Sequence, residues 1–447
     1  MINAYKSEIG TYIEDYRSYF QCGNHNQSLH SIEYLEGLLH NGKSNIERME
    51  EQVLGSEYQK LHHFISESPW DALGVMGITG QKVSSRLSEM SAPKGLIFDE
   101  SGWEKSGKMS VGVGRQYIGN IGKVCNSVNG VFGGLCSGGH VGLIGGRLYL
   151  PQEWTSDKAR CSKAGIPEDW MQYRSKPELA IDIYRNLPQS ITFDWVGGDA
   201  IYGKSPYLRH YLEDAKQAFV LDVGDNLGIY LTDPTPFIPA KKTSGRGRTP
   251  TQYKTTESKV ILKDFFKQIK PDEWETITHR KGTKGDLVRK TLMIDVYVWD
   301  SEYDNRVEKL RLLISTEIDG TEVKFSLCYQ PEGELDLKTA LFRQMQRYFV
   351  ERAFQNAKEQ LGMHQYQVRT WMAWYHHIAL TFMALDFLLQ IQLDMKEELP
   401  LISCNDVKLI IANSLDNKLN SMEGIRKAIN IRHQKRHKDL LFSANST

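Results

Sequence analysis

The 447-residue sequence predicts a mixed α/β fold with a helical N-terminal domain, a β-rich insertion and a helical C-terminal region. Three observations carry this. Apolar residues recur at helical spacing through residues 1–93. Between 94 and 224, three strand candidates are followed by alternating helix and strand, the pattern of a mixed sheet with helices packed on it. From 225 to 332 the chain turns proline-rich, then basic, then strand-like, and helical periodicity returns at 333–395.

The N-terminal part shows Leu29, Ile32, Leu35 and Leu38 near helical spacing. Ser44 and Glu47 make a capping box ahead of Ile46, Met49 and Val53. Ser68-Pro69 places a cap and a first-turn proline before Trp70. This region is either a DNA-end-binding domain or one that only packs on the next. Strands are expected at Gly95–Phe98, Ser127–Cys136 and His140–Leu150, the last two joined through Ser137-Gly138-Gly139, a hairpin signal. Ser175 and Glu178 then cap a helix, Ile191–Gly197 reads as a strand, Ser205-Pro206 opens a helix and Ala218–Val223 reads as a strand. In the insertion, strands at Gly285–Asp300, Lys309–Thr316 and Val323–Tyr329 suggest a small sheet of its own. Helices over Leu335–Gly362 and Tyr366–Met395 follow, and the tail 396–447 reads as helical and basic.

Equal numbers of acidic and basic residues, 55 of each, argue for no partner at the level of the whole chain. Their distribution is more informative. Lys241–Lys290 holds 14 Lys and Arg against 6 Asp and Glu, a local +8, whereas Met1–Pro93 holds 7 against 12, a local −5. A basic block suits a polyanion, or forms a solvated face. Six scattered cysteines make no C-x-x-C pair, so zinc-ligand spacing is absent and a reducing cytoplasm is expected. The polar start MINAYKSEIG carries no signal-peptide apolar region. The most apolar stretch, Trp371–Leu393, contains His376, His377, Asp386, Gln390 and Gln392, so a buried helix and no membrane span is expected. The two histidines read as packed, and Gly107, Gly112 and Gly114 do not match a phosphate-binding P-loop.

Three carboxylates stand in marked positions. Asp99 follows the apolar run Leu96-Ile97-Phe98, Asp199 follows the strand Ile191–Gly197, and Glu351 lies within a long helix. Carboxylates on strand ends and a facing helix are what hard divalent cations need, because Mg²⁺ takes oxygen ligands and keeps sites for substrate phosphates. On the helix, Arg347, Glu351 and Lys358 fall at i−4, i and i+7, within roughly 40° of one direction at about 100° per residue. A carboxylate flanked by two cations is a sensible reader of a phosphate backbone. Taken singly, Arg347–Glu351 is also an ordinary i,i+4 ion pair, Asp99 a turn residue and Asp199 a turn cap.

The ordered motifs LIFDESGWEKSGKMSVGVGRQYIGNIGKVCN, GRLYLPQEWT, KPELA, WVGGDAIYG and ERAFQNAKEQLGMHQYQVRTW resemble the DDE transposases of bacterial insertion sequences. The similarity is to the branch with a strand-rich insertion between the second Asp and the Glu, and it covers about Ile46 to Leu389. It implies an RNase H-like catalytic core and a DDE triad at Asp99, Asp199 and Glu351. The family signature around the glutamate is Tyr, two residues, Arg, three residues, Glu, six residues, Lys. Arg347, Glu351 and Lys358 fit it, while Gln344 stands at the tyrosine position. Tyr202 follows the second Asp where the family often has an aromatic.

The resemblance implies two Mg²⁺ ions, replaceable by Mn²⁺, held by the triad. It implies cleavage at element ends and joining of the 3′-OH to target DNA. DNA partners would be the terminal inverted repeats and the target, and the active complex a homodimer. Arg347, Lys358 and Tyr202 would contact DNA near the end, and Arg246, Arg248, Arg280, Lys281 and Lys284 would add sequence-independent contacts. The expected location is cytoplasmic, on the bacterial nucleoid. Two other readings compete: a domesticated relative that binds DNA without cutting it, and a nuclease that shares the core without joining strands.

Overall fold

A computed structural model describes residues 4–119, 121–240, 249–282, 285–300 and 305–444. The N-terminal helices are α1 (Ala4–Glu14), α2 (Ser28–Leu39), α3 (Ile46–Gln52), α4 (Tyr58–Ser66) and α5 (Ala72–Ser88). The cap of α3 is Asn45 and not Ser44: the Asn45 side chain accepts from the Arg48 amide, and the Ser44 amide donates to Gln365 Oε1 at 2.7 Å. Likewise Asp71 caps α5, so Ser68-Pro69 precedes the helix without opening it.

The central sheet begins with β1 (Gly95–Glu104), β2 (Gly114–Ile118), β3 (Lys123–Ser137) and β4 (His140–Leu148). The turn between β3 and β4 is Gly138-Gly139, with φ of +56° and +87°, the left-handed pair that a two-residue hairpin turn requires. After α6 (Lys176–Arg185) comes β5 (Trp195–Gly198), and after α7 (Pro206–Asp214) comes β6 (Phe219–Val223). Ser175 with Glu178 and Ser205 with Pro206 cap these two helices where the sequence places them. The five core strands lie in the order β4-β3-β1-β5-β6. The β1/β3 and β3/β4 pairs are antiparallel, and β1/β5 and β5/β6 are parallel. Three antiparallel strands followed by two parallel ones, with helical crossovers, is the RNase H-like arrangement.

The insertion differs from expectation. Its strands β7 (Glu275–Gly282), β8 (Gly285–Val298), β9 (Glu308–Glu317) and β10 (Val323–Tyr329) do not form a sheet of their own. β10 pairs antiparallel with β6, from Phe219 opposite Tyr329 to Val223 opposite Phe325, and the ten strands make one sheet. The reason lies in β6, whose second edge would otherwise leave buried backbone donors and acceptors unpaired.

The predicted helix over Leu335–Gly362 is two helices, α8 (Leu337–Met345) and α9 (Arg347–Glu359), which meet at Gln346. There the Gln346 amide bonds to the Arg343 carbonyl, a tightened turn that ends α8 and lets α9 set off from Arg347. The core helix is α10 (Trp371–Asp394), followed by α11 (Cys404–Ser414) and α12 (Met422–Ala444). α10 is long and apolar enough to cross a membrane, yet 94% of its most apolar window is buried inside the protein. Its histidines are packed, as the sequence suggests. His376 stacks on Trp70 with ring centroids 3.8 Å apart, and His377 lies between the Tyr34 hydroxyl and the Met363 carbonyl.

Asp386, the carboxylate within this apolar helix, has no exposure. It accepts from the Tyr12 hydroxyl at 2.7 Å and pairs with Arg86, which also donates to Gln390. This one carboxylate thus ties the core helix to α1 through the Tyr12 hydrogen bond and to α5 through the Arg86 ion pair. Arg86→Ala leaves the buried carboxylate without its cation and is expected to cost about 3–5 kcal/mol in urea unfolding. A loss near the ordinary surface value of about 0.5 kcal/mol would contradict this.

Candidate active site

Parallel register builds the site. Phe98 of β1 lies opposite Gly198 of β5, and Gly198 lies opposite Leu221 of β6. One residue further on, the three chains carry Asp99, Asp199 and Asp222. Neighbouring strands are about 4.8 Å apart and in-register residues share a face, so the three acids form a row. β1 does not stop at Asp99 as the sequence suggests. It runs on to Glu104, paired with β3, while its parallel neighbour β5 ends at Gly198. The gap left by β5 opens the cleft. Asp199 both closes it and caps the short helix Ala200–Gly203, accepting from the Ile201 amide at 2.9 Å. That helix lies tight on β6: a Cβ at Gly203 would stand 1.9 Å from the Asp222 carbonyl oxygen.

α9 covers the row. Asp99, Asp199, Arg347, Glu351 and Lys358 line one cavity of about 550 Å³, so the shared helix face read from spacing is present. Oxygens of Asp99, Glu100 and Asp199 lie within 4.8 Å of one another, a spacing that fits a divalent cation. Glu100 adds a further sign of fit, since its Oε2 is buried without a hydrogen-bond partner while Oε1 pairs with Lys176 at 2.7 Å. Glu351 is not within this group. It accepts instead from Arg347 at 2.8 Å, and Arg347 also lies 3.5 Å from Asp222 Oδ2. Lys358 Nζ donates to the Gly102 carbonyl at 3.1 Å.

The electrostatics follow from burial and crowding. Burial pushes the Asp99 carboxyl up to about 7; Asp199 and Glu100 add to the rise, and Arg347 and the Glu100 amide oppose it. Burial also raises Glu100 against the pull of Lys176, and Asp222 against the pull of Arg347. For Arg347, burial works against the charge, but Asp222, Asp99, Glu351 and Asp199 overcome it and hold the guanidinium above its usual range. Burial lowers Lys358 to about 8, opposed by Asp99.

The remaining candidates divide. Arg280 stacks over the rings of Tyr348 and Phe349 at 4.9 and 5.4 Å and shares a second cavity with Arg347 and Glu351. Lys281 is exposed beside it on β7. Arg246, Arg248 and Lys284 lie outside the described residues. Tyr202 corrects the expectation of a DNA contact. It has no exposure, packs 6.2 Å from the Phe98 ring and forms part of the floor beneath the acids. On its one-turn helix the residue three after the capping Asp199 faces the sheet. Asp222 and Glu100 escape a reading by motif. Asp222 does break the apolar strand Phe219–Val223, which is the signal that could have found it.

The raised Asp99 carboxyl has a consequence for stability. Its folded-state value near 7 stands above the unfolded value of about 3.9, so the folded chain holds the extra proton and stability is lost as pH rises from about 4 to 7. Asp99→Asn is therefore expected to stabilise the metal-free chain at pH 8 by on the order of 2 kcal/mol. The gain should fade towards pH 4 in thermal melts with chelator. A gain independent of pH, or a loss, would contradict the assigned environment.

The family model of the DDE superfamily endonucleases matches residues 19–286, which include Asp99 and Asp199 and stop short of Glu351. A probable transposase for insertion sequence element IS701, from Microchaete diplosiphon, is 32% identical over 158 residues, 34% of this chain and 37% of that relative. The match thus spans well under two thirds of the relative's length. A structure of the piggyBac transposase synaptic complex with hairpin DNA aligns over 95% of this chain and 79% of that one, at 11% identity and a TM-score of 0.39. With most of its length matched by the family model, the chain belongs to the DDE superfamily endonucleases, and its resemblance there is to insertion-sequence transposases.

Proposed function

We propose that the chain is a DNA transposase that cleaves the ends of an insertion sequence and joins the freed 3′-OH to target DNA. One observation supports this above the others: Asp99, Asp199 and Glu351, from three elements far apart in sequence, line one cleft together with Lys358 and Arg347. Asp99 and Asp199, with Glu351, would hold two Mg²⁺ or Mn²⁺ ions. Bound there, the cations supply Lewis acidity that activates the attacking oxygen and neutralises the leaving one in an in-line displacement.

The chain's own residues position the DNA. Lys358 is fixed by the Gly102 carbonyl with its ammonium at the cleft, where it meets a phosphate oxygen beside the scissile bond. Arg347 brings a second, half-buried charge to the same strand. Arg280, held flat on Tyr348 and Phe349, and Lys281 extend the cationic surface along β7 for sequence-independent contacts. In the first step water attacks the phosphorus at the element end, the bond to the 3′ oxygen breaks and that oxygen leaves as a hydroxyl. In the second, the same hydroxyl attacks a target phosphodiester, so one P–O bond forms as another breaks. Two ends must meet for paired joining, which favours a homodimer in the active complex.

Cleavage of element-end DNA with Mg²⁺ tests this directly. Wild type is expected to nick and join, and Glu351→Gln to lose at least about a hundredfold in rate, because a ligand charge is removed with little change of shape. Nicking without joined products would favour a nuclease that does not transfer strands. Binding without nicking would favour a DNA-binding relative. Lys358→Ala is expected to weaken end binding and to lower the salt slope by about one; an unchanged slope would remove Lys358 from the phosphate contacts.

A further inference from the structure

Arg347 is held between two carboxylates. One of its terminal nitrogens donates to Glu351 Oε1 at 2.8 Å, and the other lies 3.5 Å from Asp222 Oδ2. Asp222 is itself anchored from the far side. Its Oδ1 accepts from Ser326 Oγ on β10 at 2.6 Å, and Ser326 Oγ accepts from Gln344 Nε2 at 2.7 Å. Gln344 Oε1 in turn accepts from Ser315 Oγ on β9 at 2.6 Å. Ser315 and Ser326 have no exposure and Gln344 has 3%. An unbroken polar relay therefore runs from two insertion strands, through the residue at the tyrosine position of the family signature, to the arginine that grips Glu351. An amide suits that position because it donates to one serine and accepts from the other.

While Glu351 Oε1 accepts from Arg347, a metal ion at Glu351 competes with the guanidinium for the same carboxylate charge. Nor is Arg347 readily abandoned, because a half-buried guanidinium without a carboxylate is disfavoured. Asp222 resolves the conflict. It sits within reach of Arg347 already, and both of its oxygens are engaged, one by Ser326 and one by Arg347. Among the described residues it stands outside the group of oxygens spaced to share a cation, Asp99, Glu100 and Asp199.

We propose that Asp222 is a positioning residue: it retains Arg347 when Glu351 exchanges that ion pair for a divalent cation, and Ser326 and Gln344 hold Asp222 for this task. The inference rests on the metal-holding role of Glu351 given above. Without Asp222, Arg347 competes with the cation for Glu351. Without Arg347, Asp222 has nothing to hold.

Mn²⁺ binding to the full chain without DNA, read from the resonance signal of free Mn²⁺, tests this in a double-mutant cycle. Asp222→Asn is expected to raise half-saturation at least about fivefold, a modest allosteric coupling. Arg347→Gln should tighten binding. In the Arg347→Gln background, Asp222→Asn should change half-saturation by less than about twofold. A loss of equal size in both backgrounds would make Asp222 a direct ligand and overturn the proposal, as would no loss in wild type. Thermal melts in chelator establish that each variant folds; should Asp222→Asn fail to, Ser326→Ala carries the same cycle with the same expected signs. Glu351→Gln separates the two levels. Unchanged Mn²⁺ binding in that variant would remove Glu351 from the metal site and this inference with it. Weakened binding there, with Asp222→Asn inert, would overturn this inference alone.

Discussion

Parallel register across β1, β5 and β6 sets Asp99, Asp199 and Asp222 side by side, and like charges at strand spacing repel. Much of the molecule can be understood as the means of tolerating that row. Burial of the Asp99 carboxyl raises it to about 7, so part of the charge is removed by protonation. Arg347 reaches in from α9 and Lys176 pairs with Glu100, so cations offset what remains. Crowded carboxylates of this kind, with a raised Asp99 among them, are the arrangement that the proposed divalent cations would relieve.

The sheet that carries the row is continuous with the insertion. Had the inserted strands folded apart, they would be a mere accessory to the site. Because β10 pairs along β6, Ser326 stands opposite Asp222 in the ladder and its hydroxyl reaches that carboxylate. Arg280, on β7 at the far edge, returns to the site by stacking on Tyr348 and Phe349 of α9. The insertion thus reaches α9 directly through Arg280 and indirectly through Ser326 and Asp222, which lies beside Arg347. The break at Gln346 belongs to the same design, since it places Gln344 on α8 and starts α9 at Arg347.

What could be read in the sequence was local. An apolar run that ends on an acid marks Asp99 and Asp199, and helical spacing groups Arg347, Glu351 and Lys358. These signals survive because strand and helix geometry act over a few residues. Pairing partners are chosen over long separations, so neither the junction of β10 with β6 nor the row containing Asp222 was legible. Asp222 sits inside a strand, where an acid has no motif to announce it. Tyr202 shows the reverse error: its place after the second acid suggests a contact, but only the fold reveals that a one-turn helix aims it into the core. The helix break carries neither proline nor glycine, and the caps at Asn45 and Asp71 lie within three residues of equally plausible ones.

The central claim is that Asp99, Asp199 and Glu351 share metal over DNA. A crystal structure of the chain with element-end DNA and Mn²⁺, with the ions located by their anomalous scattering, tests it most directly. The account predicts manganese ligated by all three carboxylates, with Arg347 turned to Asp222. Manganese held elsewhere, or Glu351 still paired with Arg347 in the loaded complex, would contradict it.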